Sequence, residues 1–118
     1  AGVASLAVLD LDTARASALA DRLAKSFPKL ALTTKPPNMA EIDIAANASP
    51  VGMNGDPNLP LSLAGIRKGA LVSDVVTMPE RTPWLEAAAA AGCITQTGME
   101  MVRGQFDLMA RHFGFAID

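Results

Sequence analysis

One cysteine and one histidine occur among the 118 residues. A single thiol excludes an internal disulfide framework, and with one imidazole it supplies no cluster at metal-ligand spacing. No apolar run reaches the about 18 residues of a membrane-crossing helix, and the N-terminus is not built basic-then-apolar like a secretory signal. Ten Lys and Arg face twelve Asp and Glu, a net charge of −2, so no basic field exists for nucleic acid or an anionic membrane. These absences predict a soluble, cytoplasmic chain. Without an initiating Met, the natural start is expected upstream. No internal repeat and no dividing linker is visible.

Half of the residues are apolar and 19% are charged, a balance that excludes a disordered tail. A chain of this length can bury roughly two-thirds of its unfolded surface. Residues 3–9 are apolar apart from Ser5, too short for a helix and without alternation, as in a strand covered on both faces. Asp12 or Thr13 can cap the next segment, where Ala16, Leu19, Ala20, Leu23 and Phe27 recur at helical spacing before Pro28. Residues 30–33 form a second short strand, followed by a connection through Lys35, Pro36, Pro37 and Asn38. A third buried strand spans 42–48.

The loop over 49–60 holds Gly52, Gly55 and Pro57 with no periodic pattern, and loops this long in compact domains tend to be functional. A helical turn is expected at 61–66 and a strand at 70–76. Thr82 and Pro83 start an alanine-rich helix running to Ala91, with Gly92 as its C′ residue. A short strand at 93–96 precedes a final amphipathic helix, in which Met99, Val102, Phe106, Met109 and Phe113 step by three or four up to Gly114. Short buried strands alternating with helices predict an α/β fold, a three-layer parallel sheet with helices on both faces.

Open parallel sheets bind ligands at the carboxyl ends of their strands, so the informative residues are 10–13, 47–53, 77–79 and 96–98. Asp10 stands where the acid of a dinucleotide-binding sheet accepts hydrogen bonds from the ribose hydroxyls and repels a 2′-phosphate. The phosphate-binding Gly-x-Gly-x-x-Gly should precede such an acid by about 20 residues. Nine residues lie before Asp10 and no such motif occurs in the chain. On these residues alone, Asp10 reads equally as part of an acidic loop or a helix cap. A phosphorylation-receiver domain has a similar length, but Asp43 falls at the start of its strand and the last lysine is Lys68.

Residues 47–53 read Asn-Ala-Ser-Pro-Val-Gly-Met. They resemble the Asn-Ala-Thr/Ser-x-x-Gly-Met signature of the shikimate and quinate dehydrogenase family. Residues 74–85, from Asp74 through Thr82 to Leu85, are similar to that family's Asp-x-Val-Tyr-x-Pro-x-x-Thr-x-Leu stretch. Residues 98–105, from Gly98 to Gln105, are similar to its Gly-x-x-Met-Leu-x-x-Gln. Residues 10–16 fall on its Asn-Arg-Thr-x-x-Arg-Ala. The four segments are in register over most of residues 8–113.

The resemblance implies that residues 1–118 are part of a Rossmann-like nicotinamide-cofactor domain, apparently lacking its first strand, glycine loop and first helix. It also implies a substrate domain outside this chain, carrying the family's catalytic Lys–Asp pair, so that no catalytic residue is present here and the chain alone is inactive. Asp10, Leu11, Arg15, Asn47, Ser49, Val75, Gly98 and Met101 would bind the cofactor. Thr77 and Gln105 would face a cyclic polyol acid. Asp10 replaces the family's usual Asn, and Leu11 replaces the Arg that pairs with a 2′-phosphate, so charge favours NAD, with NADP possible because Arg15 is retained. Thr77 replaces the family's Tyr and leaves the polyol acid open. The other readings are a non-catalytic nucleotide-sensing domain and a methylene-tetrahydrofolate-dehydrogenase-like enzyme.

Apart from the resemblance, several of these residues have simpler readings. His112 near the end of the last helix complements its dipole or is solvated, and Cys93 is a small core residue. Met99 and Met101 fill core gaps, and Gln105, beside Phe106, is surface. Asp43, Asp74 and Asp107 form no evident acid–base pair. Glu80 and Arg81 make a polar turn.

Overall fold

The computed structural model describes residues 2–115. In chain order the elements are β1 (Ser5–Ala7), α1 (Thr13–Ser26), β2 (Ala31–Thr33), β3 (Ile44–Asn47), β4 (Leu71–Asp74), α2 (Pro83–Ala90), β5 (Ile94–Gln96) and α3 (Gly98–His112), with 3-10 turns at Met39–Glu41 and Met53–Gly55. Every strand pairing is parallel, in two sheets of order β1-β2 and β3-β4-β5. The chain divides into two compact units, Ala1–Asn38 and Met39–Asp118. The division falls after the Pro36–Pro37–Asn38 connection, although the sequence reading places no dividing linker there. It arises because the two sheets share no ladder.

In the first unit, Ser5 lies opposite Ala31 and Ala7 opposite Thr33, with α1 as the crossover. Asp12 is the α1 N-cap: its Oδ1 accepts from the amides of Ala14 at 3.0 Å and Arg15 at 3.3 Å. This satisfies donors that the first turn of any helix leaves without intrahelical partners. The expectation that residues 3–9 are covered on both faces does not hold here, since Val3, Leu6 and Leu9 are exposed. Two three-residue strands and one helix are too small to enclose that apolar run, and in α1 only Ala16 is buried.

The second unit holds the main core, built from Ala45, Leu63, Ile66, Ala70, Val72, Trp84, Leu85 and Ala88. Thr82 caps α2 and Pro83 occupies its first turn, where a missing N–H costs nothing. The Trp84 indole Nε1 donates to the Leu61 carbonyl at 2.9 Å, so its polar edge is satisfied while its rings are buried. That carbonyl belongs to residues 61–66, which form no helical turn. Gly65 takes a left-handed φ of +79°, which breaks a helix and lets Leu63 and Ile66 turn into the core.

Helix α3 starts at a capping box in which the Thr97 amide donates to Glu100 Oε2 at 2.8 Å and the Glu100 amide donates to Thr97 Oγ1 at 3.2 Å. Its apolar spacing produces the expected helix, yet Val102, Phe106, Met109 and Phe113 are exposed and only Gly98 is buried. No helix among the described residues is long and apolar enough to cross a membrane.

The long loop after β3 turns through Gly52, Asn54 and Gly55, all at positive φ. Asp56 fastens it, accepting from the Gly52 amide at 3.1 Å, the Asn58 amide at 3.0 Å and Asn58 Nδ2 at 2.6 Å. The backbone donors of Asn58 and then Gly52 hold its carboxyl below the ordinary 3.8. The ionised form is therefore favoured in the folded loop. Its contribution is fully present above the ordinary value and is lost as pH falls through the lowered one.

Two outcomes are expected. Leu85→Ala, in the centre of the core, should lower unfolding free energy by about 2–5 kcal/mol in urea titrations, whereas the exposed Phe106→Ala should stay within about 0.5 kcal/mol. In an NMR titration, the Gly52 and Asn58 amide shifts should move with a midpoint below pH 3.8, and Asp56→Asn should abolish that step; a midpoint at or above 3.8 would contradict the fastening.

Candidate functional site

Because all strands of each sheet run parallel, the residues following them gather at one end of that sheet. In the first unit the segment after β1 is largely exposed and carries two acids, Asp10 and Asp12. Asp10 Oδ1 accepts from the Asp12 amide at 2.8 Å, which bends the chain into α1 and leaves the second carboxyl oxygen without a hydrogen bond among the described residues. Leu11 is fully exposed. Arg15 Nε stands 3.4 Å from Asp12 Oδ2, so this guanidinium already has an acidic neighbour. Asp10, Leu11 and Arg15 thus share one β-strand-to-helix junction. Asp12, which the sequence marks only as a cap, also supplies a second carboxyl group there.

In the second unit the loops after β3, β4 and β5 are joined by hydrogen bonds and close packing. Asn47, at the end of β3, is buried, and its amide is fully engaged inside the protein. Nδ2 donates to the Val51 carbonyl at 3.1 Å and to Asp74 Oδ1 at 3.0 Å, and Oδ1 accepts from the Ser49 amide at 3.0 Å and Ser49 Oγ at 2.7 Å. Ser49 Oγ in turn accepts from the Val51 amide at 3.3 Å. Asn47 therefore shapes the loop, and Ser49 is the partly exposed residue of the pair.

Val75 donates its amide to the Asn47 carbonyl at 3.2 Å and leaves its side chain 38% exposed. Thr77 and Met78 follow on the surface, and the Met78 carbonyl accepts from the Asn54 amide at 3.0 Å. Gly98, the first residue of α3, lies directly on this turn. A Cβ there would stand 2.4 Å from the Val76 carbonyl oxygen and 2.6 Å from that of Val75. Only glycine permits this approach. Asn47, Ser49, Val75 and Gly98 are accordingly brought together. Met101 lies half-buried one turn into α3, and Gln105 is exposed beside Leu108, Met109, His112 and Phe113. No group of three or more His, Cys, Asp or Glu residues among the described ones is arranged to hold a metal.

Two residues of this network stand in the motif at 74–85 but carry no site role in the sequence reading. Asp74 is fully buried at the end of β4, and Thr82 both caps α2 and donates its Oγ1 to Asp74 Oδ2 at 2.7 Å. An acid closing a strand that is buried at Val72 is the sequence signal that would have pointed to Asp74. Cys93 is partly buried against the core, and His112 is exposed in the last turn of α3.

No family model matches the chain. Individual proteins do. Quinate/shikimate dehydrogenase (NAD(+)) of Corynebacterium glutamicum is 40% identical over 105 residues, covering 85% of this chain and 37% of that protein. Shikimate dehydrogenase (NADP(+)) of Rhodospirillum rubrum is 37% identical over 109 residues, 89% of this chain and 38% of that one. The chain therefore spans somewhat over a third of the length of these relatives. Among solved structures, quinate dehydrogenase from Corynebacterium glutamicum in complex with NAD superposes with a TM-score of 0.79 at 35% identity, covering 99% of this chain and 44% of that one. The ligand-free 5-ketofructose reductase of a Gluconobacter strain gives a TM-score of 0.82 at 26% identity over 99% and 44%. Parallel strands alternating with helices are thus found in a chain that aligns with these proteins over most of its length. Over the stretch it shares with them, this Rossmann-like chain belongs to the shikimate and quinate dehydrogenase family.

Proposed function

We propose that the chain is the later part of the nicotinamide-cofactor domain of a dehydrogenase that moves hydride between a ring hydroxyl of a cyclic polyol acid and NAD(P), with NAD preferred. The observation that carries this reading is the division of the strands. A doubly wound dinucleotide-binding sheet has the order 3-2-1-4-5-6, and without its first strand it leaves a parallel pair and a parallel triplet. The order here, β2-β1 and β3-β4-β5, is what such a pair and triplet would give, and this supports the reading. The first strand, the glycine loop and a substrate domain with its Lys–Asp pair are then supplied by a preceding segment, in keeping with the 37–38% of the relatives' length that the chain spans. The lone cysteine suits a reducing compartment, the cytoplasm.

The exposed polar junction after β1 fits the adenosine end of a dinucleotide. The second oxygen of Asp10 would accept from ribose hydroxyls, Leu11 offers no cation, and Arg15 is already paired with Asp12. A 2′-phosphate would meet two carboxyl groups there, which supports NAD over NADP. In the second unit, Ser49, Val75, Gly98 and Met101 would line the nicotinamide end, while Thr77 and Gln105 would face the substrate. Bound nicotinamide supplies the hydride acceptor or donor. The residues of this chain bind and orient, and proton transfer belongs to groups outside it. A second reading, reduction of a keto sugar, is favoured by the likeness to 5-ketofructose reductase together with Thr77 in place of the family's Tyr.

Steady-state rates of the full-length protein with quinate, shikimate and 5-ketofructose, each with both cofactors, test the reading. We expect a polyol acid with NAD to give the highest kcat/KM, and Asp10→Asn combined with Leu11→Arg to move the NADP/NAD ratio at least about 10-fold toward NADP. An unmodified protein that already prefers NADP would overturn the charge argument. Gly98→Ala should raise the cofactor KM, because the methyl group must displace the Val75–Val76 backbone; an unchanged KM would remove Gly98 from the site.

A further inference from the structure

Asp74 is fully buried, touches no solvent, and has no part in binding as proposed above. Burying a carboxyl group among apolar residues costs stability, and apolar replacements of buried ionisable groups are often neutral or better. Its retention therefore points to shape. Three donors converge on it from three separate segments: Asn47 Nδ2 at the end of β3, at 3.0 Å; the Val76 amide after β4, at 3.0 Å; and Thr82 Oγ1 at the start of α2, at 2.7 Å. Through Asn47 the network continues to Ser49 and Val51. Two further contacts run alongside it. The Asn54 amide bonds to the Met78 carbonyl, and Gly52 lies so near Thr82 that a Cβ there would be 3.4 Å from the Thr82 Cβ. No buried side-chain nitrogen or oxygen among the described residues lacks a partner. A fully satisfied polar network of this kind specifies one arrangement.

We propose that Asp74 is a positioning residue, a buried clamp that locks the loops after β3 and β4 into one rigid rim and so presets Ser49, Val75 and Thr77 for cofactor and substrate. The link to catalysis rests on the function proposed above; the clamp itself does not.

The test uses the full-length protein with Asp74→Ala, Thr82→Val and Thr82→Ser. Should Asp74→Ala not fold, the Thr82 pair carries the test, because Val removes the donor to Asp74 and Ser keeps it. Hydrogen exchange of residues 48–56 and 75–82 should quicken about 10-fold in Thr82→Val while β3 and β4 stay protected, and kcat/KM should fall about 10- to 100-fold. Thr82→Ser should stay within about 3-fold of the unmodified protein on both counts. A lowered melting temperature with exchange of 48–56 unchanged overturns the clamp. Faster exchange with unchanged kcat/KM overturns its positioning role. An unmodified protein without dehydrogenase activity would reject the functional reading, and the exchange measurement would still decide the clamp.

Discussion

Parallel pairing is the constraint on which the rest of this structure depends. Two parallel strands cannot be joined by a tight turn, so each return requires a crossover, and every segment leaving a strand emerges at the same end of its sheet. In the second unit this brings Asn47, Asp74 and Gln96 to the ends of three adjacent strands, with Asn47 directly opposite Asp74 in the ladder. The loops that follow then share one small space, and the chain fills it with hydrogen bonds between side chains and backbone. The approach of Gly98 to two carbonyl oxygens has the same origin, since β5 ends beside β4 and α3 begins two residues later.

The core and the candidate site divide the labour within the second unit. Val72, Leu85, Trp84 and Ala88 are buried together and hold α2 on the sheet by apolar contact, which is large in total and indifferent to direction. The polar residues Asn47, Asp74, Thr82 and Thr97 are buried at the carboxyl end, where directional hydrogen bonds set loop geometry. Apolar side chains are also left exposed: Ile44 and Ile94 on the sheet, Val102, Phe106, Met109 and Phe113 on α3, and Val3 and Leu6 in the first unit.

Much of the architecture was legible from local chemistry. Asp12 and Thr82 are helix caps because their side-chain oxygens suit the free amides of a first turn, and Gly92 and Gly114 end helices because they tolerate a left-handed φ. The candidate positions at Asn47, Ser49, Val75 and Gly98 could be found because carboxyl-end loops carry the family's motif residues. Asp74 stood in one of those motifs, yet no spacing rule says that an acid there is buried, since its three donors are 27, 2 and 8 residues away in the chain. Residues 61–66 misled for a related reason. Their composition allows a helical turn, and the decision lay with Gly65 and with the Trp84 indole that takes the Leu61 carbonyl.

The sequence by itself determined the order of strands and helices, the caps that bound them and the segments at which a ligand would be met, because these follow from periodicity and from interactions within a few residues. Only the tertiary structure decided which polar side chains face a ligand and which are consumed in holding loops, and which apolar stripes are covered. Asn47 and Ser49 differ by two positions and by no rule of composition; their burial differs because Asp74, from another strand, takes the amide of one and leaves the other at the rim.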